Sequence, residues 1–257
     1  MSSTTKYTLK PSLRANFKGI IWKVETDAAN RIIAVETRNS ENRTASYSAF
    51  NFETGRTLFK EVTVQDSWHW GLDMACHSLV YLHSYVNEKT PEHKAIIALD
   101  TSGSIAWQIY NRTLDSAIAE GLVVYNPTVQ QKQYELLNPV SGIIEKSNIS
   151  SFIPLGRNIY FPEITTDQDL LKSIEEIGTP VGPVSYLVHN GKECVSFHAA
   201  ENSILSQYLV IRTNGIVIHE EILEHNIQKL NPEPFYIEQD HLFCIRNNKA
   251  EIVAYLV

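Results

Sequence analysis

Short apolar runs separated by turn residues dominate the chain. Five of them, at 32–35, 79–82, 122–125, 194–197 and 242–245, are rich in β-branched and aromatic side chains, and all but 79–82 have Asn or Gly within a few residues. Runs of this length between such residues favour strands over helices. Successive side chains in a strand point to opposite faces, so an unbroken apolar run predicts a strand buried on both faces.

A hairpin signature occurs four times along the chain. Each copy is an apolar run, a polar turn with glycine and a second apolar run, at 49–59, 98–107, 136–146 and 212–219. The glycines of the first three copies are spaced like those of a four-stranded β-propeller blade, about 40–50 residues. We expect the Asp or Asn before each turn to accept hydrogen bonds from turn N–H groups, and the closing aromatic to dock on the neighbouring blade.

The repeats divide the chain into five predicted blades of a single domain, 1–257. Four of them cover 20–62, 66–110, 113–148 and 184–223, and the fifth joins 234–257 to an N-terminal strand at 7–15. Pairing the two chain ends would close the ring and remove its exposed edges. The predicted fold is therefore all-β, a single five-bladed β-propeller. A six-bladed alternative arises if 152–165 forms a sheet of its own.

One short helix is predicted in an insertion at about 164–180, between the third and fourth blades. Thr166 is followed by Asp169 three residues later, a capping pattern, and Gly178 and Pro180 mark the end. Four apolar residues fall on one helical face, namely Leu170, Leu171, Ile174 and Ile177. The pattern predicts a helix over 167–177.

The hairpins resemble the repeats of quinoprotein-like and WD40-like β-propellers. In the quinoprotein-type repeat a strand ends in Ala-x-Asp, a Thr-Gly turn follows, and an aromatic residue closes the next strand. The residues of the first copy that match this spacing are Ala49, Asn51, Thr54, Gly55 and Phe59. The second copy has a shorter turn, and the third lacks the aromatic. The whole chain is also similar to an uncharacterised bacterial (Bacteroidetes-type) family of small propeller proteins of unknown function. That resemblance implies a fold and no activity.

Charge and composition exclude several classes of function. The chain carries a net charge of -7, with no run of basic residues, which argues against a nucleic-acid partner. No apolar stretch reaches the length of a membrane-spanning helix, and the first residues do not form a signal peptide. Three widely separated cysteines, expected to be small buried hydrophobes, fit a reducing compartment. We therefore expect a cytoplasmic monomer that does not bind membranes and needs no cofactor.

The most unusual segment is 67–73, with the sequence SWHWGLD. In a strand, Trp68 and Trp70 would share one face, and His69 and Asp73 the other. This arrangement predicts an aromatic platform or a His–Asp pair at the mouth of the central channel, where Gly71 would allow a ligand to approach the backbone. Packing of both tryptophans between blades is the alternative. No His-x-His or His-x-x-x-His spacing occurs, so no metal ligand is predicted.

The function that these patterns favour is a non-catalytic module that binds an unknown protein or small ligand. No catalytic residue is predicted, since the nucleotide-binding and hydrolase motifs are absent from the sequence. The alternative is a carbohydrate-active hydrolase, which needs two carboxylates around the channel. The acidic residues that could serve are Glu25, Asp27, Asp73, Asp115 and Glu238.

Overall fold

Antiparallel strands make up most of the computed structural model, which describes residues 9–86, 92–231 and 233–257. The strands of the first part of the chain are β1 (Leu13–Asn16), β2 (Ile20–Asp27), β3 (Ile32–Asn39), β4 (Thr44–Asn51), β5 (Thr57–Val62), β6 (Trp70–Cys76), β7 (Leu79–Tyr85), β8 (His93–Leu99), β9 (Ile105–Ile109), β10 (Thr113–Ile118), β11 (Gly121–Tyr125), β12 (Tyr134–Leu137) and β13 (Ile144–Ile149). The later elements are β14 (Ile159–Tyr160), β15 (Glu163–Thr165), α1 (Gln168–Ile174), β16 (Val184–His189), β17 (Lys192–Glu201), β18 (Ile204–Thr213), β19 (Ile216–Glu224), β20 (Phe235–Glu238), β21 (His241–Arg246) and β22 (Glu251–Leu256). A 3-10 helix, Ser67–His69, precedes β6.

The strands of the described residues form five sheets in two compact units. The unit Phe17–Arg157 holds three four-stranded sheets, ordered β2-β3-β4-β5, β6-β7-β8-β9 and β10-β11-β12-β13. The other unit combines the residues up to Asn16 with Asn158–Val257. It holds two five-stranded sheets, ordered β15-β16-β17-β18-β19 and β1-β22-β21-β20-β14. The prediction of an all-β fold made of such sheets is confirmed.

The chain ends pair as the sequence predicts. Leu13 of β1 lies opposite Ala254 of β22, so the N-terminal strand completes the sheet of the last three strands. The first two residues of the predicted strand at 7–15 lie outside the described residues. The segment 152–165, on which the six-bladed alternative depended, forms no separate sheet, because β14 pairs with β20 and β15 with β16.

The hairpin turns are held by the polar residue that precedes them. The Asn51 side-chain oxygen accepts hydrogen bonds from the Thr54 N–H and hydroxyl, at 2.9 and 2.8 Å. In the next hairpin the Asp100 carboxylate accepts from the Ser102 hydroxyl and N–H, and these bonds lower the pKa of Asp100. Asn138 accepts from the Val140 N–H in the third. These local bonds explain why the turns are recognisable in the sequence.

The closing aromatics pack on the next hairpin, as predicted. Phe59 of β5 lies where a side chain on Gly103 would be, within 2.9 Å of a Cβ built there. Trp107 of β9 occupies the same position over Gly142, and its Nε1–H donates to the Pro139 carbonyl at 2.7 Å. Each aromatic thus joins one sheet of this unit to the following one.

The helix of the insertion is shorter than predicted. It covers Gln168–Ile174, and its N-cap is Asp167, whose carboxylate accepts from the Asp169 and Leu170 N–H groups. Leu170 and Ile174 are buried against the β16–β18 sheet, which confirms the predicted apolar face. Among the described residues, no helix has the length and apolar character required to cross a bilayer.

The three cysteines are free and buried, as expected of small hydrophobes. Burial raises the pKa of the Cys76 and Cys194 thiols to about 12. Burial also raises the pKa of Cys244 well above its ordinary value. At neutral pH all three are protonated, so they contribute packing and not nucleophilic chemistry.

Candidate functional site

The segment 67–69 is a helical turn and not the strand that the sequence predicts. Asp66 has a left-handed backbone (φ 53°), and the His69 N–H donates to its carbonyl at 3.0 Å. The Ser67 hydroxyl accepts from the buried Ala45 N–H on β4, which fixes the turn against the first sheet. Trp68 is half-buried and His69 is exposed, whereas Trp70 begins β6 and is buried. The two tryptophans therefore do not share a strand face.

Trp68 instead belongs to a surface with Trp22 and Arg38, which we call the tryptophan platform. The Arg38 guanidinium carbon lies 5.4 Å from the Trp22 ring centroid and 5.1 Å from that of Trp68. A cation over an indole face at this distance is attracted by the ring. The Trp22 side chain is 65% exposed, so the platform presents aromatic surface to solvent.

Arg38 is held in place by bonds to the backbone and to a buried carboxylate. Its terminal nitrogens donate to the Trp68 and Trp70 carbonyls at 3.4 and 3.0 Å, and its Nε donates to Glu36 at 2.6 Å. The second Glu36 oxygen accepts from the Leu72 N–H at 2.7 Å. These bonds fix the Arg38 guanidinium beside the two indole rings.

A shallow cavity of about 500 Å³ adjoins the Trp68 end of the platform. Arg43, whose guanidinium carbon lies 5.6 Å from the Trp68 ring centroid, lines it together with Asp66 and His69. Trp68 and His69, both predicted site residues, thus contact the same open space.

Asp73, the fourth predicted site residue, lies in a different cluster with His83 and His93. One potential ligand atom from each of the three residues lies within 4.8 Å of the others, the one such group of three among the described residues. Two β-bulges place them there. Asp73 is the extra residue between Leu72 and Met74 of β6, and Ala95, with φ 58°, is the extra residue of β8. Bulges re-aim side chains and are frequent beside functional sites.

Gly71 makes the room that this cluster needs. Gly71 lies opposite His83 in the β6–β7 register, and a Cβ on it would lie 2.8 Å from the His83 Nε2 and 3.1 Å from the Tyr85 hydroxyl. The space beside the glycine backbone is filled by side chains of the protein. The prediction that a ligand approaches Gly71 directly is therefore wrong.

Buried polar atoms without hydrogen-bond partners characterise the cluster. Both ring nitrogens of His83 and one carboxylate oxygen of Asp73 are in this state, and the His83 Nδ1 lies 3.5 Å from that oxygen. The His93 ring stacks on the His83 ring at a centroid distance of 3.4 Å. Burial lowers the pKa of His93, and the adjacent His83 lowers it further.

The other predicted carboxylates are engaged elsewhere. Glu25 pairs with Lys23 and with Arg157, at 3.2 and 2.8 Å. The Asp27 carboxylate accepts from Asn30 and from the Ser78 N–H. Asp115 lies 3.7 Å from the Lys132 ammonium. Glu238 is buried in β20 of the other unit.

Sequence reasoning missed His83, His93 and Arg38. The two histidines are separated by nine residues, a spacing that matches no ligand motif, and only the β7–β8 register brings them together. Arg38 is the penultimate residue of β3, and no motif around it in the sequence marks it. A closer reading of the predicted β7–β8 hairpin, with one histidine on each strand, could have indicated the pair.

Residues 26–107 match a family model described as a domain of unknown function (DUF4905). The match includes every residue of both clusters except Trp22. No curated protein matches the chain.

Solved structures similar to this chain include β-propellers. Raptor from Chaetomium thermophilum has 10% identity and a TM-score of 0.38, over 98% of this chain and 29% of its own. A DUF4221 family member from Bacteroides vulgatus has 8% identity and a TM-score of 0.34, over 99% and 98%. The β-propeller domain of the Trilobed protease from Pyrococcus furiosus has 12% identity and a TM-score of 0.31, over 93% and 69%. The chain therefore spans less than a third of the Raptor chain.

Proposed function

We propose that this protein is a non-catalytic binding module that holds a protein partner on the tryptophan platform. The observation that carries the proposal is the exposed Trp22 ring, with Arg38 fixed over it and over Trp68. Tryptophan, tyrosine and arginine are the residue types that contribute most of the energy at protein interfaces. The exposed Trp22 indole offers the anchor that such an interface uses, and the cavity beside Trp68 lies at the other end of the platform.

The order of the platform supports binding. Glu36 and two backbone carbonyls already fix Arg38, so a partner need not immobilise a flexible arginine side chain. Ordering one such side chain costs about 0.5–1.5 kcal/mol on association. Binding at the platform would therefore incur little of this free-energy cost for Arg38.

We further propose that the five sheets are the blades of one five-bladed propeller, with α1 in an insertion. The support is the repeated hairpin, the aromatic contacts between successive sheets of the first unit, and the pairing of β1 with β22. In this architecture the first strands β2 and β6 carry Trp22 and Asp73.

The hydrolase stays an alternative prediction that the site does not favour. Glycosidic hydrolysis needs a free carboxylic acid and a carboxylate or base facing one substrate. The ion pairs of Glu25 and Asp115, and the hydrogen bonds of Asp27, direct these carboxylates to structural partners.

The test is affinity capture with the full chain and a Trp22→Ala/Trp68→Ala variant. Trp70 is left unchanged because it is buried. The matched control is Val140→Ala/Ile143→Ala, which removes exposed apolar side chains from the third hairpin of the same unit. We expect a partner to be retained by the wild type and the control and lost by the tryptophan variant, with circular dichroism confirming that all three are folded. Equal retention by the tryptophan variant would overturn the proposal.

A further inference from the structure

We propose that Asp73, His83 and His93 bind a divalent first-row transition-metal ion, with Zn²⁺ as the representative case. The site is separate from the tryptophan platform and does not depend on the proposed function. Each ligand comes from a different strand of one sheet, β6, β7 and β8.

The first argument is the set of buried polar atoms. His83 is only 3% exposed, yet neither ring nitrogen has a hydrogen-bond partner, and the facing Asp73 oxygen has none either. Buried polar atoms nearly always have partners, and a bound ion is one accepted reason for an exception. One cation between these atoms would satisfy the carboxylate and one nitrogen together.

The second argument is the separation of the ligand atoms. Two ligands bound to a tetrahedral ion with bonds of about 2.1 Å lie about 3.4 Å apart. The His83 Nδ1 and the Asp73 oxygen are already 3.5 Å apart. The widest separation in the trio is no more than 4.8 Å, so closing around an ion requires that distance to shorten by at most about 1.4 Å.

His93 is the residue that must move. Its ring is nearly parallel to that of His83, with 10° between the planes, and parallel stacked rings do not aim their lone pairs at one point. His93 is only half-buried, so its ring can turn out of the stack about its side-chain bonds. Metal binding would therefore replace the stack with two imidazoles inclined to each other.

The donor set selects the class of metal. Two imidazole nitrogens and one carboxylate oxygen suit zinc and its neighbours, whereas magnesium and calcium prefer oxygen donors alone. Lys23 lies beside the cluster, but its ammonium donates to the Asp73 carbonyl and pairs with Glu25 at 3.2 Å. Three protein ligands leave one position for water.

The test is calorimetric titration of the chelator-treated full chain with ZnCl₂. We expect one ion per chain, and an affinity weaker by at least about tenfold in His93→Ala and in Asp73→Asn. The control is His225→Ala, which changes an exposed histidine of the other compact unit and should bind zinc as the wild type does. Absence of a one-to-one zinc complex in the wild type would overturn the proposal, as would unchanged affinity in both ligand variants.

A second measurement keeps the test valid if a variant unfolds. Co²⁺ added to the wild-type chain should give the visible absorption of a tetrahedral site, and Zn²⁺ should displace it. The stacked histidine ring signals should shift together in NMR spectra when Zn²⁺ binds. Cobalt spectra that stay those of the hydrated ion would contradict the assignment.

Discussion

Gly142 is a glycine for two independent physical reasons. Its backbone has φ 68°, a left-handed conformation that costs other residues about 1–2 kcal/mol. A Cβ there would also lie 2.6–2.9 Å from the Trp107 ring. Gly215, at the equivalent position of the fourth hairpin, has φ 76° but nothing within 4 Å of a Cβ. Gly215 therefore shows the backbone requirement alone, whereas Gly142 shows the backbone and packing requirements together.

We predict that Gly142→Ala lowers the free energy of unfolding by about 2–4 kcal/mol, because overpacking adds to the left-handed strain. Gly215→Ala should cost only about 1 kcal/mol, the backbone part alone. Urea denaturation of both variants measures the difference. An equal loss of unfolding free energy in the two variants would show that the packing of Trp107 does not require a glycine at position 142.

At the scale of the elements, a buried ion network ties the ends of β21 and β22 to β1. The fully buried Glu251 carboxylate accepts from Arg246 and from Arg14, both at 2.6 Å, and Arg246 also bonds Glu221. Burial opposes the charge of Glu251, but the bonds from the two arginines prevail and lower its pKa. The charged form is thus the one that the native sheet stabilises.

We predict that Glu251→Gln destabilises the protein by about 3 kcal/mol at neutral pH, because the buried Arg246 keeps Glu221 but loses the Glu251 carboxylate, and Arg14 loses its ion pair. The pKa of Glu251 is lower in the folded than in the unfolded chain, so its stabilisation is present above pH 4.5 and is lost as the pH falls through the folded value. Between pH 7 and 3, the free energy of unfolding should therefore depend less steeply on pH in Glu251→Gln than in the wild type. Denaturation curves recorded at each pH measure this. Glu233→Gln, at an exposed position, is the control. A pH dependence of the unfolding free energy in Glu251→Gln equal to that of the wild type would contradict this account.

At the scale of the whole molecule, one compact unit is discontinuous in sequence. It needs β1 from the start of the chain and β14–β22 from its second half. Pairing across this separation covers the edge of β22, which would otherwise present unpaired backbone groups. The sheet that contains β22 is therefore complete only when the N-terminal strand is in place.

We predict that Leu13→Ala, which truncates a side chain only 2% exposed, costs about 2–5 kcal/mol. The loss should speed hydrogen exchange of the β22 amides that pair with β1. The exposed Lys10→Ala is the matched control and should leave exchange unchanged. Unaltered protection of β22 in Leu13→Ala would show that β1 does not hold this edge.

The features predicted from the sequence are those whose causes are local. Each hairpin turn is determined by an Asn or Asp, a glycine and an aromatic within that hairpin. The position of each sheet along the chain could therefore be predicted from the sequence. The turn at 67–69 depends on a left-handed Asp66 and on a hydrogen bond that the Ser67 hydroxyl accepts from the Ala45 N–H of β4, and no local pattern reveals either. The histidine pair likewise depends on two bulges and a strand register. The candidate sites were therefore predictable only in part.

The most direct test of the tryptophan platform is photo-crosslinking from position 20, where the exposed Ile20 precedes Trp22 on β2. A benzoylphenylalanine introduced there should yield one discrete protein adduct in cells. The same probe at the exposed position 143 should yield none, and adding Trp68→Ala should abolish the adduct from position 20. Identical products from both positions, or an adduct that survives Trp68→Ala, would contradict the account.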